Sequence, residues 1–379
     1  GAGAYWAVSL GNAVPWGLHV ATAVGFGSTL AMHRLFWRGI TFPQRPPPVA
    51  GPATAWGVVA GGAVAGSAVA AHLAGIDIGA TLLDETIFGG MALMIVSVLA
   101  HPGQRIGLAR WFVVGGVGAL YATTVFTGYG RLLLVALGLV AIVPACLRVR
   151  GRLTKALVLA TIGPALVVLT YARQQFGTAV YGAELDGSGS VTQPLADFGR
   201  LLTLYDHGLL DLGYGSTLLV TAAFFVPRAL WPGKPDGFGA VLTQILEPEL
   251  VSIGQSLAAH LGGEWLYDFG YLGFAAMVLV MGWAIGRLDR WASGAVARPL
   301  TDRRAVVQLA AIVVMLAGIP DLEWAGTFTY WSRTASRLAV LAVLLLAADP
   351  RWTEPGRTGG REVEPGERRA PVGTDLRGG

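Results

Sequence analysis

Charge is scarce in this chain. Of its 379 residues 13% are Asp, Glu, Lys or Arg and 54% are hydrophobic, with a mean hydropathy of +0.57. Soluble domains carry about 25% charged residues, so this composition excludes a water-soluble globule that hides its apolar content in one core. Cysteine is nearly absent: Cys146 stands alone, which excludes an internal disulfide and leaves it as a small buried hydrophobe. Lys, Asn and Ile are scarce beside Gly, Ala, Val and Arg, the bias of a GC-rich bacterial genome. Soluble-enzyme signatures are also missing. No Walker loop, dinucleotide fingerprint, HExxH or GxSxG occurs, so no nucleotide site is expected. No repeat period of about 20–50 residues is visible. The chain opens at Gly1 without a basic n-region, and no signal peptide is expected in it.

What the chain has is apolar runs. A helix needs roughly 20 residues to cross about 30 Å of hydrocarbon, and about nine runs approach or reach that length. They lie at 5–30, 53–75, 82–100, 111–126, 132–147, 156–171, 266–285, 305–319 and 338–348. The expected fold is therefore all-α, a polytopic integral-membrane helical bundle over 1–348. The 54 glycines suit it, because small residues let membrane helices approach closely. A Pro-rich connector at 43–52 and a charged tail at 349–379, expected to be disordered and cytoplasmic, complete the chain.

Orientation follows from the cations, which concentrate in short cytoplasmic loops. Arg34, Arg38 and Arg45, Arg105 and Arg110, the group Arg148 to Lys155, the group Arg287 to Arg304 and the tail hold most of the 27 Lys and Arg. Placing them inside puts 173–263 outside as a long loop. Its apolar stretch at 209–226 cannot be a span, since a crossing there would carry the Arg287–Arg304 loop outside. It is expected to be re-entrant or interfacial.

Seven cations then remain outside: Arg131, Arg173, Arg200, Arg228, Lys234, Arg333 and Arg337. Arginines held against the translocation bias pair with an acid, a lipid headgroup or an anionic substrate, and the guanidinium fork suits phosphate. Arg333 and Arg337 stand four apart and share a helical face at the mouth of the last span. The segment VPRALWPGKPDGFG at 226–239 is stiffened by its prolines and turned by its glycines, so it presents Arg228, Lys234 and Trp231 either as a ligand-binding loop or as a plain turn. His260, Glu264 and Asp268 recur every fourth residue and form one stripe entering the seventh span. The stripe holds either a general base or a structural pair and helix cap. Asp84 and Glu85 read as first-turn acids that complement the helix dipole, and Asp321 and Glu323 as interfacial anchors.

Several of these pieces resemble bacterial Wzy-like oligosaccharide repeat-unit polymerases, in the broader group that includes O-antigen ligases. The likeness is carried by Thr127-Gly128-Tyr129-Gly130-Arg131 opening a span, Arg173 ending the next, VPRALWPGKP at 226–235, Ser256, and EWLYDFGYLGF from Glu264. The resemblance implies a GT-C-like, inverting, metal-independent membrane glycosyltransferase without a cofactor. Its substrate would be a polyprenyl-diphosphate-linked oligosaccharide, used at the extracytoplasmic face of the bacterial cytoplasmic membrane. Its partners would be the lipid bilayer, a chain-length regulator and a flippase, and no nucleic acid. Arg131, Arg173, Arg228 and Lys234 would take up the diphosphate charge, with Glu264 first and His260 second as base. Arg200, Arg333 and Arg337, which enter on charge alone, complete the expected substrate-binding set with Trp231 and Asp268. A ligase or a transporter of lipid-linked oligosaccharide are the alternatives.

Overall fold

The computed structural model describes residues 13–36, 52–76, 80–99, 108–125, 131–148, 189–253, 256–297, 300 and 302–347, and all its described regular elements are helical. In chain order these are α1 (Ala13–Ala31), a π-helical turn (Met32–Phe36), α2 (Pro52–Leu73), α3 (Ala80–Leu99), α4 (Leu108–Thr124) and α5 (Arg131–Arg148). There follow α6 (Gly189–Asp206), α7 (Ser216–Ala222), α8 (Phe238–Leu246), a 3-10 turn (Pro248–Ile253), α9 (His260–Ala297), α10 (Arg303–Ala317), α11 (Ile319–Ala325) and α12 (Thr327–Ala347). The described part of every apolar run read as a span falls on a helix; residues 5–12 of the first run and the whole run at 156–171 lie outside the described residues, as do the connector at 43–51 and the tail at 349–379.

Among the described residues four helices are long and apolar enough to cross a membrane: Ala53–Leu73, Leu82–Leu99, His260–Ala295 and Arg303–Ala325. A shorter apolar helix covers Leu132–Pro144. Large apolar side chains such as Leu108, Phe112, Leu272, Val343 and Leu346 are exposed, which is costly in water and neutral against lipid tails. The bundle core is built from α2, α3, α4, α5, α10 and α12, around Phe88, Met91, Tyr121, Val140, Val313 and Leu341. Close approach of α2 and α3 depends on Gly61 and Gly90: a Cβ on either would fall 2.5–2.7 Å from the other's carbonyl oxygen. That is the small-residue contact expected of membrane helices.

A second core joins α6, α8 and the start of α9 through Phe198, Leu201, Phe238, Leu242 and Leu266. The expected long loop is therefore a packed layer. Within it α7 has seven residues, about 10 Å of helix, which is a third of the hydrocarbon thickness.

The main departure from the sequence reading lies in α9. Gly270 has φ 62° and ψ −152°, outside the helical region. In a continuous helix His260 and Ile285 would stand about 37 Å apart, yet both line one cavity. Phe198 likewise meets the rings of both His260 and Phe274. The chain therefore folds back at Gly270, and residues 260–269 run beside 271–297. The apolar run expected at 266–285 is thus divided at Gly270, with residues 271–297 as its longer arm. A glycine reaches that φ at no steric cost, and no side chain fits there, because a Cβ would collide with the Tyr205 hydroxyl.

Candidate functional site

The reversal at Gly270 carries the His260–Glu264–Asp268 stripe into the interior, where each residue holds a different element. Asp268 is fully buried; its Oδ2 accepts the Thr217 hydroxyl at 2.6 Å and its Oδ1 the Thr217 backbone N–H at 3.5 Å. It caps α7, whose own N-cap, Gly215, has no side chain to do so. Glu264, also 0% exposed, accepts the Thr327 N–H at 2.6 Å and the Thr327 hydroxyl at 2.7 Å on Oε2, capping α12. Its Oε1 is buried without a hydrogen-bond partner. Both acids thus complete helix N-termini at a distance in sequence, with charge-assisted bonds. Glu264 does not border the cavity described next.

His260 differs. Its φ is 57°, a left-handed conformation uncommon outside glycine. Its ring stacks on Phe198 at 6.0 Å between centroids and 21° between planes. Nδ1 accepts the Gly262 N–H at 3.2 Å, so in the neutral ring the hydrogen resides on Nε2. Nε2 stands 3.1 Å from Glu323 Oε2, a carboxylate whose side chain is 46% exposed. Both residues border a cavity of about 180 Å³ together with Val24, Gly25, Ser28 and Thr29 of α1 and Leu261, Met281 and Ile285 of α9. Glu323 is therefore no simple interfacial anchor: it is the partner of His260. No group of three or more His, Cys, Asp or Glu able to hold a metal occurs among the described residues.

The expected cations divide into loop-holding and ion-paired groups. In the 226–239 segment Lys234 Nζ donates to the carbonyls of Phe224 at 3.0 Å and Val226 at 2.9 Å, tying the turn shut. Arg228 donates to the Lys234 carbonyl at 2.8 Å and contacts Asp236 at 2.5 Å, with its side chain 58% exposed. Half-buried Trp231 closes the tight turn through its backbone N–H, which donates to the Pro227 carbonyl. Arg200 bridges Asp197 at 3.3 Å and Glu247 at 2.9 Å, locking α6 to the end of α8. Burial pushes the Asp197 carboxyl up to about 6, against the lowering pull of Arg200.

Arg333 pairs with buried Asp321 at 2.7 Å. Arg337 is 0% exposed, contacts Glu85 at 2.5 Å and places Cζ 3.8 Å over the Phe88 ring. These two pairs correct the reading of the acids. Glu85 is the sixth residue of α3, past the first turn, and Asp321 is buried; each neutralises an arginine. The correction was not readable from local spacing, because 252 residues separate Arg337 from Glu85. Arg173 lies outside the described residues, as does the side chain of Arg131, whose backbone opens α5.

Comparison with known proteins places a limited likeness beside this geometry. The chain is 34% identical over 77 residues to the O-antigen polymerase of Salmonella typhimurium, and to the same extent to that of Salmonella typhi. The match covers 20% of this chain and 19% of each relative, so the chain spans about a fifth of the length of the curated relatives it matches. No family model and no solved structure matches. The chain is a helical protein with, among the described residues, four helices long and apolar enough to cross a membrane, and a distant, partial homology to O-antigen polymerases.

Proposed function

We propose that this chain is a membrane glycosyltransferase that joins polyprenyl-diphosphate-linked oligosaccharide repeat units into a cell-surface polysaccharide. The observation that carries the reading is a cavity of about 180 Å³ presenting His260 and Glu323, in a chain that shares 34% identity over 77 residues with O-antigen polymerases. In the reaction an acceptor hydroxyl oxygen attacks the anomeric carbon of the donor. The bond from that carbon to the diphosphate oxygen breaks, its electron pair leaves on the lipid diphosphate, and the configuration inverts. The acceptor proton passes to a base at the His260–Glu323 pair, while Glu264 and Asp268 fix the helices around it.

Cations must meet the charge that develops on the leaving diphosphate. Arg228, exposed and held at a set angle by the Lys234-tied turn, is the described candidate; Arg131 and Arg173 complete the set from the sequence. Arg200, Arg333 and Arg337 are assigned to keeping the layers together. Reconstituted protein supplied with lipid-linked repeat units tests the reading: it forms long glycan, and Arg228→Gln lowers the rate about 10-fold or more while the protein inserts normally. Transfer of intact glycan to a non-carrier acceptor would instead mark a ligase. Movement of the lipid-linked unit across the vesicle without a new glycosidic bond would mark a transporter.

A further inference from the structure

We infer that the cavity between α1 and the reversed arm of α9 is the acceptor-sugar subsite, and that Glu323 receives the proton of the acceptor hydroxyl while His260 holds Glu323 in place. This rests on the glycosyltransferase reading and assigns its base.

The assignment follows from hydrogen-bond bookkeeping on His260. A neutral imidazole has one lone pair to offer, and the Gly262 N–H occupies it at Nδ1. Nε2 then carries hydrogen and faces Glu323 Oε2 at 3.1 Å. Neutral His260 in this geometry has no free site for a proton. Glu323 does: it is an acceptor with two oxygens, and its side chain is 46% exposed at the cavity wall. Glu264 is the poorer base, being 0% exposed and committed to the first turn of α12.

The imidazole is positioned from three sides, by the stack on Phe198, by Gly262 and by its own left-handed backbone. Strained backbone of this kind persists where surrounding structure over-determines it, characteristically at functional sites. The cavity, of about 180 Å³, is bordered by both polar and apolar side chains. Met281 and Ile285 of α9 suit the C–H face of a sugar, and Ser28 and Thr29 of α1 line the same cavity. The step balances: the acceptor O–H bond breaks as oxygen bonds to the anomeric carbon, the proton goes to Glu323, and the electron pair of the broken bond goes to the lipid diphosphate.

The experiment compares the wild-type chain with Glu323→Gln, Glu323→Asp, His260→Asn and Thr29→Phe in proteoliposomes supplied with lipid-linked repeat units. It reads glycan length, rate against pH, the melting temperature Tm and the Tm shift caused by polyprenyl diphosphate. Glu323→Gln is expected to lose about 100-fold or more in rate with Tm and diphosphate shift unchanged, and Glu323→Asp to recover part of it. His260→Asn, which tolerates the positive φ, is expected to keep a measurable rate and to move the acid limb of the pH profile. Thr29→Phe is expected to raise KM for the acceptor. Glu323→Gln turning over at the wild-type rate, or losing Tm and the diphosphate shift together with activity, overturns the assignment while polymerisation by the wild-type chain stands. Wild-type protein that binds polyprenyl diphosphate but makes no glycosidic bond overturns the glycosyltransferase reading and the assignment with it.

Discussion

Removing the Glu85 carboxylate should destabilise the bundle strongly. Arg337 is 0% exposed, sits with Cζ 3.8 Å over Phe88, and its Nη1 and Nη2 have no hydrogen-bond partner. The Nε contact to Glu85 at 2.5 Å is the guanidinium's anionic neutraliser. Glu85→Leu leaves the cation buried and uncompensated, and breaking a buried pair this way costs about 3–5 kcal/mol. Arg337→Met alone strands the Glu85 carboxylate and costs a similar amount. The double variant removes both charges at once, and replacing a whole buried pair with apolar groups is near neutral or stabilising. A double-mutant cycle on purified protein in mild detergent, followed by helical content during denaturant unfolding, reads the coupling. A coupling below about 1 kcal/mol, or a Glu85→Leu protein that unfolds at the wild-type midpoint, would refute the pairing.

Other outcomes are equally checkable. Gly270→Ala forces a side chain into φ 62° and ψ −152°, costing roughly 1–3 kcal/mol from backbone alone before the collision with Tyr205; lower Tm and lost glycan synthesis are expected. Lys234→Met frees the Phe224 and Val226 carbonyls, so limited proteolysis should cut near 226–236 faster while the bundle helices stay protected. The Asp197 carboxyl, raised to about 6 by burial, binds its proton more tightly folded than unfolded, where it titrates near about 3.9. Its contribution therefore favours folding below the unfolded value and is lost as pH rises through 6. Tm measured from pH 4 to 7 should fall less steeply in Asp197→Asn than in the wild type.

Sequence alone determined the solvent and the element type. Apolar runs long enough to cross hydrocarbon need internally satisfied backbones, and helices provide that within each segment, so helices appear wherever a described run was expected. The spacing of His260, Glu264 and Asp268 was also legible, because helical periodicity is local. What each acid holds was not. Thr217 lies 51 residues from Asp268 and Thr327 lies 63 from Glu264, separations at which no periodicity relates partners. The same holds for Glu323 beside His260 and for Glu85 beside Arg337. One glycine within EWLYDFGYLGF leaves the apolar pattern intact, so the reversal at Gly270 was invisible until the packing of Phe198 against both arms of α9 decided it. Tertiary structure chose the partners because burying a charge is tolerable only beside its neutraliser, and which charges are buried together is set by how the helices pack.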